Sequence, residues 1–270
     1  MKRLILFFLV ICLSLLPAEI WAQETSDLAP VPVLQKESLA AELLDLNNIY
    51  RGQLTEYRAA EKEFVIARDH YLQLQTLAAI NNVTEAAKKV LGLRNQVLIT
   101  YLDLLRVNLI AAEGVEISAK ELVLERLSGQ KLRLQSQQTA LSTATDREQI
   151  NQLADTFTKQ APELTTVSQQ TVSLLSLGKL QNVFDRLRSI REELLVPPDS
   201  QSSISLERSE REIDRLNQAL EALFVVSWAE LSKGLQADNV SSFYSNISKT
   251  LNPIYTNLTK LVAFLEERMR

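Results

Sequence analysis

The sequence predicts an all-α protein: an elongated bundle of about six long, mostly antiparallel helices with coiled-coil-like heptad seams. Three observations predict it. Only six glycines occur in 270 residues, too few for the many turns of a β protein. Hydrophobic residues make up 46% and charged residues 23%, enough apolar surface for a core under a solvated exterior. Apolar residues also recur every seven positions, most visibly in the aromatic ladder Tyr50, Tyr57, Phe64 and Tyr71.

Residues 1–22 have the grammar of an export signal. Lys2 and Arg3 precede the apolar run Leu4 to Leu16, Pro17 breaks it, and Ile20-Trp21-Ala22 suits cleavage after Ala22. An uncleaved anchor is the alternative, but the thirteen apolar residues fall short of the roughly 20 that a spanning helix needs. The expected address is therefore export, to a periplasm or outside the cell. Cys12 is the only cysteine and leaves with the signal. A disulfide framework is excluded, so packing alone must hold the fold. Losing Lys2, Arg3 and Glu19 takes the net charge from -4 to -5. That mild acidity offers no electrostatic footprint for nucleic acid or anionic lipid.

An extended leader is expected over 23–37, because Pro30 and Pro32 sit among acidic and small residues. A four-helix bundle follows over 38–196. Its first helix, from near Ser38, carries Leu43, Tyr50, Tyr57, Phe64, Tyr71 and Ala78 on one rail and Leu46, Gln53, Ala60, Ala67 and Leu74 on the other. The Asn81-Asn82 pair reads as the break, with Thr84 and Glu85 opening the second helix. There two series run side by side, Val90, Val97, Leu104, Ala111 and Leu91, Leu98, Leu105, Ala112. So broad an apolar face predicts two or more neighbours.

Gly114 reads as the end of the second helix, and Ser118 with Glu121 as the capping box of the third. Its later half, around "QSQQTALSTAT", is polar and predicted to be weakly held. Asp146 caps a fourth helix through Ile150, Leu153, Phe157, Leu164, Val167 and Leu174, with Gln160 and Thr171 as polar exceptions and Gly178 at a stammer. Pro162 is expected to kink or break it. Residues 197–205 are Pro- and Ser-rich and read as a linker. A two-helix segment, 206–270, is expected to pack on the same bundle; Pro253 kinks or restarts its last helix.

No catalytic constellation emerges. His70 is the only histidine, position 67 is Ala where a di-iron bundle would want Glu, and HExxH is absent. Asp69 and His70 are adjacent on one helix and point about 100° apart, a poor start for a triad. No two glycines lie within ten residues of each other, so glycine-rich phosphate loops are missing. The sequence implies no enzyme, no cofactor and no metal. Asn-x-Ser/Thr triplets at Asn82, Asn239, Asn246 and Asn257 are of the kind that polar helices contain by chance.

The string "TYLDLLRVNLIAAE", Thr100 to Glu113, looks like a helix of outer-membrane efflux channels. The likeness covers fourteen residues. The paired strands and tandem halves of that family are not apparent in the sequence, and no family is assigned. The expected function is an exported, non-enzymatic scaffold, spacer or protein-interaction module with a protein partner or self-association. The alternative is an extracytoplasmic ligand-binding or sensor module. The ladder Tyr50, Tyr57, Phe64 and Tyr71 is the candidate interaction or pocket face for either reading. A buried Tyr hydroxyl left unpaired costs about 1 to 3 kcal/mol, so three tyrosines in four rungs suit rings in a seam with hydroxyls at its rim.

Overall fold

The structure is a computed structural model that describes residues 30–194, 204–236 and 243–269. The signal segment, leader residues 23–29 and linker residues 197–203 lie outside the described residues. The chain divides into two units, Met1–Gln35 and Lys36–Arg270. The described residues are all-helical, in six helices with no strand. These are α1 (Pro30–Leu74), α2 (Leu77–Ala111), α3 (Ile117–Thr143), α4 (Arg147–Leu194), α5 (Ile204–Leu235) and α6 (Phe243–Met269).

Several boundaries differ from the sequence reading. α1 begins at Pro30, not near Ser38. A proline's missing N–H costs nothing in a first turn, where that group has no intrahelical acceptor, so Pro30 and Pro32 open the helix where an extended leader was expected. The α1–α2 break falls at Gln75 and Thr76, and Asn81 and Asn82 are exposed helical residues. Gln75 takes φ 50° and its N–H donates to the Tyr71 carbonyl at 3.0 Å. Thr76 is extended, and its Oγ1 accepts from the Ala79 N–H at 3.2 Å. A left-handed terminator followed by a threonine N-cap outweighs an asparagine pair that sits comfortably on a solvated helix face.

The α3 N-cap is Glu116, without a side-chain capping bond. Ser118 lies inside the helix and donates to Glu116 Oε1 at 2.9 Å, so the expected capping box does not form. Asp146 does cap α4, accepting from the Gln149 N–H at 2.8 Å. α4 runs unbroken through Pro162, and α6 through Pro253. Ile204 and Ser205 belong to α5, not to the linker. α3 reaches Thr143 with Gln137 and Leu141 buried, so its polar half is packed.

Side-chain pairs define how the helices lie together. Along α1, Glu42, Gln53 and Glu63 meet Arg106, Thr100 and Lys89 of α2 at 3.1, 2.8 and 2.7 Å, with numbers rising on one helix and falling on the other. On α3 and α4 the same reversal joins Arg126 to Gln170, Arg133 to Glu163 and Gln137 to Gln160. α4 touches α2, α3, α5 and α6. α2 has the two neighbours or more that its broad face predicted: it packs on α3 and α4 and bonds to α1. Buried Val97, Leu98, Leu102, Leu105 and Leu109 supply that core.

Three helix C-termini are closed by cations from other helices. Lys120 of α3 donates to the Ala112 carbonyl at 2.8 Å and the Ile110 carbonyl at 3.4 Å, at the end of α2. Lys88 of α2 donates to the Ala144 and Ser142 carbonyls, at 2.7 and 3.3 Å, at the end of α3. Arg126 of α3 donates to the Leu235 carbonyl, and Gln170 of α4 to the Gly234 carbonyl at 2.9 Å, at the end of α5. Each cation satisfies carbonyls that lack intrahelical donors and meets the negative end of a helix dipole.

The α2–α3 turn is pressed against α4. Gly114 has φ 73°, and a Cβ there would lie 2.4 Å from the Gly178 carbonyl oxygen. Beside it, Glu113 accepts from Asn182 at 2.9 Å and Arg186 at 3.2 Å, and pairs with Lys36 at 3.5 Å. Burial pushes the Glu113 carboxyl upward, but Lys36, the Asn182 bond and Arg186 together bring it below its ordinary value. A carboxylate held low stabilises the fold above its unfolded pKa, and that contribution fades as pH falls through the folded one. Glu113→Gln should therefore melt below wild type at neutral pH, by at most about 1 kcal/mol because the site is half exposed. The two melting curves should converge in acid; a gap that is the same at every pH would refute the charge role.

Candidate functional site

The ladder of α1 faces α2 and the start of α4. Tyr50 is 9% exposed, and its ring lies 6.2 Å from that of Tyr101, tilted by 38°. Ala60 and Ala67, the small residues between the rungs, are buried, while Tyr57, Phe64 and Tyr71 are half-buried. Leu43, Leu46 and Gln53 continue the same half-buried side.

Tyr57 lies near Arg94, the one arginine among the described residues whose pKa is clearly displaced. Arg94 of α2 stacks on the Phe157 ring of α4, its Cζ 3.3 Å from the ring centroid, and its Nε is buried without an acceptor. Burial lowers the Arg94 pKa to about 10, and Tyr57 partly opposes the fall. The guanidinium remains charged at neutral pH. Burial, then the Glu61 carboxylate, push the Tyr57 phenol upward, and Arg94 pulls it back. A cation stacked on an aromatic face is held by the ring quadrupole, which substitutes for part of its lost water. At the far end, Arg147 donates to the Tyr71 hydroxyl at 3.1 Å and lies 5.2 Å from its ring centroid. Hydroxyls at the rim, as the sequence suggested, thus hold for Tyr71.

Tyr57→Ala should cost about 2 to 3 kcal/mol, since it removes a half-buried ring close to the desolvated Arg94 cation. Tyr57→Phe should cost well under half of that, because the ring does most of the packing. Thermal melts of both variants measure this; an unchanged Tyr57→Ala melt with lost partner binding would make the ladder a surface instead.

His70 is exposed. Among the described residues no group of three or more His, Cys, Asp and Glu side chains is placed to hold a metal ion.

A second feature was not visible in the sequence. A groove of about 600 Å³ lies between α3 and α4, lined by Leu122, Arg126, Gln130 and Arg133 on one wall and Glu163 and Val167 on the other. Glu125, Gly129 and Thr166 complete the lining, and none of the four ladder residues contributes. On α3 the lining residues follow i, i+3, i+4 spacing over three turns, one stripe roughly 16 Å long. Gln130 is only 5% exposed. A Cβ on Gly129 would meet nothing within 4 Å, so this glycine is not required by packing and leaves the groove deeper than alanine would.

Compared with protein-family models, curated proteins and solved structures, the chain matches none of them.

Proposed function

We propose that this chain is an exported, non-enzymatic helical-bundle protein that acts as a scaffold, spacer or protein-interaction module at the cell envelope or outside the cell. The reversed pairings of α1 with α2 and of α3 with α4 support an elongated antiparallel bundle. Buried Ile213, Leu220, Phe224 and Leu231 on α5, and Ile247, Ile254, Leu258 and Leu261 on α6, support heptad seams within it.

The observation that carries the reading is the packing of α1. Its aromatic side is covered, yet Leu44, Ile66, Leu72 and Leu74 are each 58% exposed or more. Large aliphatic side chains left open on this helix, as others are at Leu77, Ile117, Leu132 and Val225, supply apolar surface that a protein partner can cover. Photo-crosslinkers placed at positions 66 and 72 of the full-length protein, expressed in its host, should trap a discrete adduct from the envelope or the medium. A chain that stays monomeric and uncrosslinked there would refute the interaction role.

The second reading, an extracytoplasmic ligand-binding or sensor module, draws on the α3–α4 groove, whose volume lies in the range typical of ligand sites. Thermal-shift screening against metabolites and envelope fragments tests it, and a panel without any stabilising compound would count against it.

A further inference from the structure

We propose that the α5–α6 hairpin is hinged: it swings away from the C-terminal end of α4 as one unit, held where α5 ends, while α2 and α3 stay packed. The inference goes beyond the interaction reading and does not depend on it.

The first reason is a buried place without bonds. Asp214, Glu221 and Phe224 of α5 all meet α4, at Arg191, Arg188 and Phe184. Asn217 stands three residues after Asp214 and four before Glu221, so it shares the side of α5 that faces α4. It is 8% exposed, and neither polar atom of its amide finds a hydrogen-bond partner among the described residues. Arg191 pairs with Asp214 through a terminal nitrogen, yet its Nε is buried and unbonded too. Each of these groups has given up water without gaining a partner, and recovers it when the helices part. The closed state is weakened at this level of the hairpin.

Unequal fastening is the second reason. Where α5 ends, the fully buried Gln170 of α4 donates to the Gly234 carbonyl, and Arg126 of α3 donates to the Leu235 carbonyl. Around Asn217 the ties are the ion pairs Arg191–Asp214 and Arg188–Glu221, which reach solvent and are screened by it. No side chain of α4 over 185–193 is buried. The stacked rings of Phe184 and Phe224 oppose the opening, and the opening uncovers them. A helix pair parted from its third helix is marginal, so amides of α5 and α6 exchange once it opens.

The test is native-state hydrogen exchange of the full-length protein in rising, sub-denaturing urea, read by mass spectrometry. Peptides of α5 and α6 should exchange together, faster than α2 and α3 and with a shallower urea dependence, because less surface is exposed. Residues 230–235 should be the slowest of α5. Asn217→Leu removes the unbonded amide at similar volume and should slow exchange of α5 and α6 roughly tenfold, the scale of one such group. Asn95→Leu is the matched control on α2, where the residue is 2% exposed with its Oδ1 unbonded. It stays buried when the hairpin opens, so it should slow α2 and α3 and leave α5 and α6 unchanged. One common rate and urea dependence for all helices overturns the proposal, as does Asn95→Leu slowing every helix alike, or Asn217→Leu leaving α5 and α6 unchanged. Residues 230–235 exchanging ahead of the rest of α5 overturns the hinge.

Discussion

Gly114→Ala should destabilise the fold by about 3 kcal/mol, and Gly178→Ala by a similar amount, for two different reasons. At position 114 the backbone is left-handed, with φ 73°, which costs an L residue roughly 1 to 2 kcal/mol. The new Cβ would also sit 2.4 Å from the Gly178 carbonyl oxygen and 3.0 Å from the Asn182 nitrogen. Backbone atoms of a packed helix cannot rotate aside as a side chain can, so the turn itself must lift. At position 178 the backbone is helical and alanine would ordinarily be favoured. There the cost is entirely contact: a Cβ would meet Val115 Cγ2 at 2.2 Å, with the Glu113 carbonyl at 3.3 Å behind it. Overpacking of this kind typically costs about 1 to 3 kcal/mol. In a chain of this size each kcal/mol shifts the melting temperature by about 2 to 4 °C. Val115→Ala should rescue much of Gly178→Ala and little of Gly114→Ala. Melts of the two singles and two doubles check the assignment, and equal rescue of both would show that the clash is not where the geometry puts it.

Phe184→Ala should cost about 3 to 5 kcal/mol, the range for removing a buried aromatic ring. Phe184 is 2% exposed and stacks on Phe224 of α5, with ring centroids 5.5 Å apart and planes within 27°. Polar contacts also join α4 to α5: Arg191 pairs with Asp214, Arg188 with Glu221 at 3.7 Å, and Trp228 Nε1 donates to Gln181 at 3.5 Å. Those ion pairs are each worth at most about 1 kcal/mol, so the ring pair outweighs each of them. The alanine variant should loosen α5 and α6 before the rest. Hydrogen exchange would register that as early loss of protection over α5 and α6 while α2 and α3 remain protected. Uniform loss across all helices would mean that the α4–α5 contact unfolds only with the whole.

Legibility differed sharply between the ladder and the groove. Tyr50, Tyr57, Phe64 and Tyr71 were found from spacing alone, because seven residues return a helix to within about 20° of the same face. Spacing also marked the small residues Ala60 and Ala67, both buried. It could not mark Arg94, whose place over Phe157 and near Tyr57 depends on residues from three helices. Local chemistry misled at the α1–α2 break, where the apolar pattern passes through Leu74 and Leu77 without pause. One backbone dihedral at Gln75 and one hydroxyl at Thr76 end the helix instead.

The groove was illegible for a different reason. Its defining feature, open space above Gly129, is a property of what neighbouring helices fail to cover. The cross-helix caps are similar: Lys88 acts 56 residues away at Ala144, and Arg126 acts 109 residues away at Leu235.

By itself, the sequence determined that the described chain is helical and which side of each helix is apolar. Those properties depend on a few consecutive residues, through backbone preference and the 3.6-residue period. Tertiary structure alone decided where α1 stops, which carbonyl ends receive a cation, why Gly114 and Gly178 face each other, and which wall is left open. Each of these depends on the distance between groups far apart in the chain, and no local periodicity encodes such a distance.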